Sequence, residues 1–337
     1  MELTTVWFIL IGVLWTGYFV LEGFDFGVGM LLPVLGRGAD AAGTERRRRV
    51  LLNTIGPVWD GNEVWVLTAG GATFAAFPHW YATMFSGFYL PLLLILVALI
   101  VRNLGFDYRS KRESTTWRAR WDLAIVIGSL VPALLWGVAL TNVVRGVPID
   151  AHKEYVGNLF TLLNPMGLLG GLTTVALFLT HGAVFVALKT DGPIREDARR
   201  VAGQVGLAAA VLAVLLLGVI GLQQGSVASW VTTVVAAGAL VAALLANARA
   251  REGWAFVGTF VTIAFAVATL FLTLFPDVMP STLNPAWSLT AENAASTAYT
   301  LRIMTVVALV FTPVVLLYQG WTYWVFRKRI AVHHIPA

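Results

Sequence analysis

Apolar stretches longer than about 18 residues recur along the whole chain, from Val6 to Phe326, and each is long enough to cross a hydrocarbon core of roughly 30 Å. Backbone polar groups in lipid must be satisfied within the segment, so such a chain is confined to helices. Charged residues make up 12% of the sequence and mean hydropathy is +0.77; soluble proteins carry about 25% charged residues. The expectation is an all-α polytopic membrane protein forming one integral membrane domain over 1–337, with no stretch left over for a soluble domain.

Read against loop punctuation, the apolar runs give nine spans at about 6–34, 51–75, 80–104, 121–144, 164–188, 203–222, 229–247, 254–275 and 299–326. The first follows MELTT, which has an acid and no base, so it reads as a retained helix rather than a cleaved signal. Twenty of the 23 basic residues fall in the loops after spans 1, 3, 5, 7 and 9. The positive-inside rule then places the N-terminus outside and the C-terminus in the cytoplasm. The same clustering accounts for the net charge of +5 by topology rather than by nucleic-acid binding. With no cysteine, thiol chemistry, Cys-ligated zinc and iron–sulfur clusters are excluded.

Four acids interrupt the first two spans: Glu22 and Asp25 in LEGFDFG, Asp60 and Glu63 in WDGNEVW. Charge in a membrane helix costs about 2.5–3.5 kcal/mol on insertion scales, so each acid is a functional-site candidate. The i, i+3 spacing puts each pair on one helix face. Counted along a continuous second helix from the basic loop, Asp60 would lie about 15 Å deep and Glu63 about 20 Å. With Glu22 and Asp25 near the cytoplasmic side, the four form a ladder of carboxylates without matching bases, as a proton relay requires. The competing reading is that they are neutral, or hydrogen-bond to Asn62, Thr68 or helix ends, and only fix packing.

Arg102, at the end of span 3, either pairs with Asp25 or Asp107 or is a snorkelling anchor, the latter being the ordinary outcome. His181 is the only histidine inside a span; a lone histidine on an apolar face is more often a hydrogen-bonded packing residue than a metal ligand. No metal site is expected, and one such histidine cannot supply a bis-His haem.

LEGFDFGVGMLLP (21–33), RRRRVLLNTIGPVWDGNEVWVLTAGGATFAAFP (46–78), FSGFYLPL (85–92), GFDYRSKRE with TWRARWD (105–122), GNLFTLLNPMGLLGGL (157–172) and FPDVMPS (275–281) occur in this order. In that set the chain closely resembles subunit II of the bacterial cytochrome bd-type quinol oxidases over nearly its whole length. The resemblance implies nine helices as two four-helix bundles, about 1–145 and 146–337, with one peripheral helix in the second part. It implies pairing with a similarly folded subunit I that carries haems b558, b595 and d, and often a small single-helix accessory subunit. The complex would reduce O2 to water with quinol in the bacterial cell membrane, taking protons from the cytoplasm. Subunit II of this family binds no haem iron, and a quinone or lipid at the interface is left open.

By position, Asp60 matches the family's aspartate on the proton path and Asp25 the acid near its entrance. Trp65 falls by a lateral oxygen entrance and Trp59 beside a quinone groove, although helix packing explains both equally. Glu63 stands where some members have glutamine, so its role, like that of Glu22, rests on depth. The rival from another class is a proton-coupled secondary transporter, which would show paired broken helices in two halves. Here the acids are confined to spans 1 and 2, which favours a subunit feeding a neighbour's site.

Overall fold

The computed structural model describes residues 2–332, so the C-terminal end assigned above to the cytoplasm lies outside the described residues. The long helices are α1 (Leu3–Leu35), α2 (Ala41–Ile55), α3 (Trp59–Ala76), α4 (Pro78–Gly87), α5 (Tyr89–Tyr108) and α6 (Thr115–Arg145). A single turn, α7 (Leu159–Leu162), leads into α8 (Pro165–Lys189), α9 (Pro193–Gln224), α10 (Val227–Ala248), α11 (Glu252–Leu274) and α12 (Ala298–Val325). Their starts follow local capping chemistry. The side chains of Asp40, Ser114, Asn164 and Ser226 accept from backbone N–H groups in the first turns of α2, α6, α8 and α10.

Among the described residues, eight helices are long and apolar enough to cross a membrane by length and composition: α1, α5 with its following turn, α6, and α8 to α12. The expected span at 51–75 is not one continuous helix. Pro57 has no N–H to offer and its ring crowds the preceding turn, so α2 ends at Ile55 and α3 begins at Trp59. The 18 residues of α3, with two acids and three glycines, fall outside those eight. The depths of 15 and 20 Å, which assumed an unbroken helix, therefore do not hold. Likewise the expected span 80–104 is divided at Phe88, between α4 and α5, with Pro91 in the first turn of the new helix.

α1 is the spine, packing on α3, α6, α8 and α11. Its contact with α8 depends on two glycines: a Cβ on Gly182 would come within 2.6 Å of the Gly27 Cα, so the two backbones touch. Around this crossing Trp15, Tyr18, Phe19, Trp136 and Phe178 form a buried aromatic cluster. α12 lies outside, against α1 and α3, and only 6% of its most apolar window is buried. It is tethered by Trp7, whose indole donates to the Leu301 carbonyl at 3.2 Å, and at the other end by Lys189, which donates to the Phe326 carbonyl.

At one end of the bundle a two-stranded hairpin, β1 (Asp277–Met279) and β2 (Leu289–Thr290), joins the loop after α6 through a Val147–Ser281 bridge. Gly146 makes that turn at φ +91°, a conformation open to glycine. The other end carries most of the arginines. Arg109 meets Asp122 at 2.5 Å and Glu45 at 2.7 Å, and Arg48 meets Asp122 at 2.8 Å. A second group centres on buried Glu252, which faces Arg195 at 2.8 Å and Arg329 at 3.5 Å. Burial works against ionisation of Glu45, but hydrogen bonds and charge from Arg109, with Arg118 and Arg49, outweigh it and hold the carboxyl below its ordinary value.

Candidate functional site

Glu22 and Asp25 are both fully buried on α1, one turn apart, as their spacing predicts. They are not without a base. Arg102 of α5 is itself fully buried and its Nη1 donates to Glu22 Oε1, with Glu63 Oε2 at 3.7 Å. The guanidinium lies between the rings of Phe26 and Phe106, 4.9 and 5.0 Å from their centroids. The snorkelling reading of Arg102 is therefore wrong, because α5 turns this residue toward α1 instead of toward the basic loop. Asp107 is exposed and is not its partner; five residues along α5 it lies on another face. The pairing with Glu22 was not foreseen.

Asp25 Oδ2 accepts a hydrogen bond from Asn62 Nδ2 at 2.7 Å. Asn62 Oδ1 in turn accepts from the Tyr323 hydroxyl at 2.7 Å and from Gln319 Nε2 at 3.0 Å, both on α12. Glu63 is half-buried and accepts from Asn103 Nδ2 at 2.9 Å. Asp60 differs from the other three acids. It sits in the first turn of α3, where the helix dipole favours a negative charge, and it is exposed. The exposed side of α3 continues through Gly61, Val64, Leu67, Gly71 and Phe74. At Gly61, Gly70 and Gly71 an added Cβ would meet nothing within 4 Å, so this side is open to close approach.

One guanidinium thus stands among three carboxylates in a water-poor interior. Among the described residues Glu22 Oε2, Asp25 Oδ1, Glu63 Oε2 and Arg102 Nη2 have no hydrogen-bond partner. Three carboxylates against one guanidinium leave the cluster with more acids than bases.

The tryptophans sit at the margins. Trp65 donates to Gln319 Oε1 at 2.9 Å, and Trp59 packs on Phe106 at 5.0 Å. Neither lines the apolar crevice of about 440 Å³ between α1, α3, α4, α5 and α6, where Trp15, Gly70, Tyr81, Leu96 and Trp136 are found. His181 is buried, with its Nε2 at 3.1 Å from the Val20 carbonyl and Nδ1 at 2.7 Å from the Thr259 hydroxyl. Both nitrogens are engaged, so it offers none to an iron. Among the described residues no group of three or more His, Asp or Glu could hold a metal ion.

Asn103, Gln319 and Tyr323 were missed from the sequence, whereas Asn62, between Asp60 and Glu63, was named there as a hydrogen-bond partner for the acids and is one for Asp25. Gln319 and Tyr323 were signalled only by being polar in an apolar helix.

Comparison with known proteins gives the geometry a context. The sequence model of the family "Cytochrome bd terminal oxidase subunit II" matches residues 3–326. The chain is 40% identical to cytochrome bd ubiquinol oxidase subunit 2 of Bacillus subtilis, covering 98% of this chain and 97% of that one. It is 39% identical to cytochrome bd-I ubiquinol oxidase subunit 2 of Escherichia coli K12, covering 98% and 96%. A structure of the bd oxidase from Geobacillus thermodenitrificans superposes with a TM-score of 0.79 at 19% identity, over 97% of this chain and 100% of that one, a likeness of fold. These likenesses do not favour a transporter. With its apolar helices, the protein is a multi-pass bacterial membrane protein, and the chain belongs to the cytochrome bd terminal oxidase subunit II family.

Proposed function

We propose that this chain is the haem-free subunit of an electrogenic quinol:O2 oxidoreductase, scaffolding subunit I and passing protons to it from the cytoplasmic side. Haems b558, b595 and d belong to subunit I in this reading, and the subunit alone is inactive. The observation that carries the proposal is the run of acids from the buried core to the open face of α3. Glu22 and Asp25 are fully enclosed, Glu63 is half-buried and Asp60 is exposed. An exposed carboxylate between glycines and apolar residues on a helix flank is unstable facing lipid, and is accommodated when a partner covers it.

The partner surface is then the open side of α3 together with α12, most of which is bare apolar residues. α3 is counted with the eight apolar helices as a ninth crossing, shielded by its neighbours. The bundles are α1, α3, α5 and α6, then α8 to α11, with α12 peripheral; a small accessory helix finds room on the remaining lipid face. The arginine-rich end faces the cytoplasm by the positive-inside rule, putting the N-terminus outside. A proton from that side reaches Asp25 and Glu22, with Arg102 offsetting one negative charge, and leaves through Glu63 and Asp60. The apolar crevice is left to a lipid or quinone tail, and Trp59 and Trp65 belong to the partner-facing α3 itself.

The test is purification of the tagged chain from native membranes under mild detergent. Haem b and d absorption and quinol-driven oxygen uptake co-purifying with the chain support the reading. A colourless, stable chain without a haem-bearing partner contradicts it.

A further inference from the structure

Trp65 fixes the orientation of two amides. An indole nitrogen only donates, so the 2.9 Å contact requires that the Gln319 atom facing Trp65 be the oxygen, and its amide nitrogen then faces Asn62. Asn62 must meet that N–H, and the Tyr323 hydroxyl beside it, with its oxygen. Its own amide nitrogen is left pointing at Asp25 Oδ2, 2.7 Å away, and at the Leu21 carbonyl, 3.4 Å away. All four hydrogen-bonding positions of Asn62 are filled, so it has one orientation.

Asp25 therefore always meets a donor at Oδ2, while Oδ1 is buried with no partner among the described residues. A proton on Asp25 cannot sit opposite an N–H. We propose that Asn62, locked by Trp65, Gln319 and Tyr323, is a positioning residue that confines proton exchange on Asp25 to Oδ1. Because Gln319 and Tyr323 lie on a helix that otherwise barely packs on the chain, the seating of α12 governs the readiness of Asp25.

The inference rests on the proton-conducting reading above. The ionisable groups around Asp25 are Glu22 on its own helix, Glu63 on α3, Arg102 on α5, Tyr323 on α12 and, on α8, His181, which is turned to Val20 and Thr259. Of these only Tyr323 hydrogen-bonds Asn62, so the hydrogen-bonded route from positions 319 and 323 to Asp25 runs through Asn62.

The experiment uses the whole oxidase complex carrying Gln319→Leu with Tyr323→Phe. It records haem content, the pH profile of oxygen uptake, and the infrared carboxyl stretch that disappears in Asp25→Asn. The expected result is full haem content with a displaced pH profile, a shifted Asp25 band and turnover lowered about fivefold, the scale of one lost hydrogen bond. A profile and band that superimpose on those of the parent overturn the inference. If the double variant does not assemble, Tyr323→Phe alone, which removes one hydroxyl, is judged by the same two signals. Loss of turnover in Asp25→Asn with parental behaviour of the α12 variants overturns the inference and keeps the proton route; unchanged turnover in Asp25→Asn overturns the route and the inference together.

Discussion

Arg102 is the residue on which the buried acids depend. Removing it leaves Glu22 without its counter-charge in a site with no exposure to solvent. Breaking one side of a buried pair costs about 3–5 kcal/mol, while replacing both members by apolar groups is often neutral. Arg102→Met is thus expected to lower the thermal stability of the purified complex strongly, and Glu22→Met combined with it to restore most of the loss. Equal stability of the Arg102→Met variant and the parent would mean the pair carries no weight. At this scale the sequence was informative about what stood alone and uninformative about what met. Glu22 and Asp25 were conspicuous because acids in apolar runs are rare. Their partners Arg102 and Asn62 come from other helices, and which face of α5 turns inward is settled by packing. A neutral amide such as Gln319 carries too small a desolvation cost to stand out.

Among the elements, α1 and α8 meet through a contact that admits no side chain. Gly182→Leu is predicted to prevent that crossing and to abolish recovery of folded protein, whereas Gly253→Leu, where an added Cβ meets nothing within 4 Å, is predicted to be recovered at parental levels. Comparison of detergent-extracted yields by size exclusion decides it. α2 is held to the bundle end partly by Glu45 and Arg109. Since the Glu45 pKa is lowered in the folded protein, its contribution is present above its ordinary value of 4.5 and is lost as pH falls through the depressed value. Thermal melts taken across acid pH should fall off less steeply in Glu45→Gln than in the parent; parallel curves would contradict this. Apolar length was enough to find most helices, since lipid-length runs have few alternatives. The breaks at Pro57 and Phe88 were missed because hydropathy averages over a window, while a proline acts at a single peptide. That error mattered, since it placed Asp60 mid-helix when it belongs to a first turn.

At the scale of the whole molecule, membership of a family named as one subunit of a terminal oxidase implies a complex with a partner subunit. Family membership could be read from ordered motifs such as WDGNEVW and FPDVMPS, because the chain follows that pattern almost from end to end. The partner-facing side could not, since exposed apolar residues on a membrane helix look the same whether they meet lipid or protein. The most direct test of the account reconstitutes the oxidase in vesicles and follows proton uptake from the cytoplasmic side during quinol-driven turnover, comparing the parent with Asp60→Asn. The account predicts that the variant keeps its haem absorption bands but loses at least about tenfold in turnover and proton uptake, as removal of an acid–base group on a transfer path does. Parental turnover and proton uptake in a fully assembled Asp60→Asn complex would contradict it and reduce this chain to a scaffold.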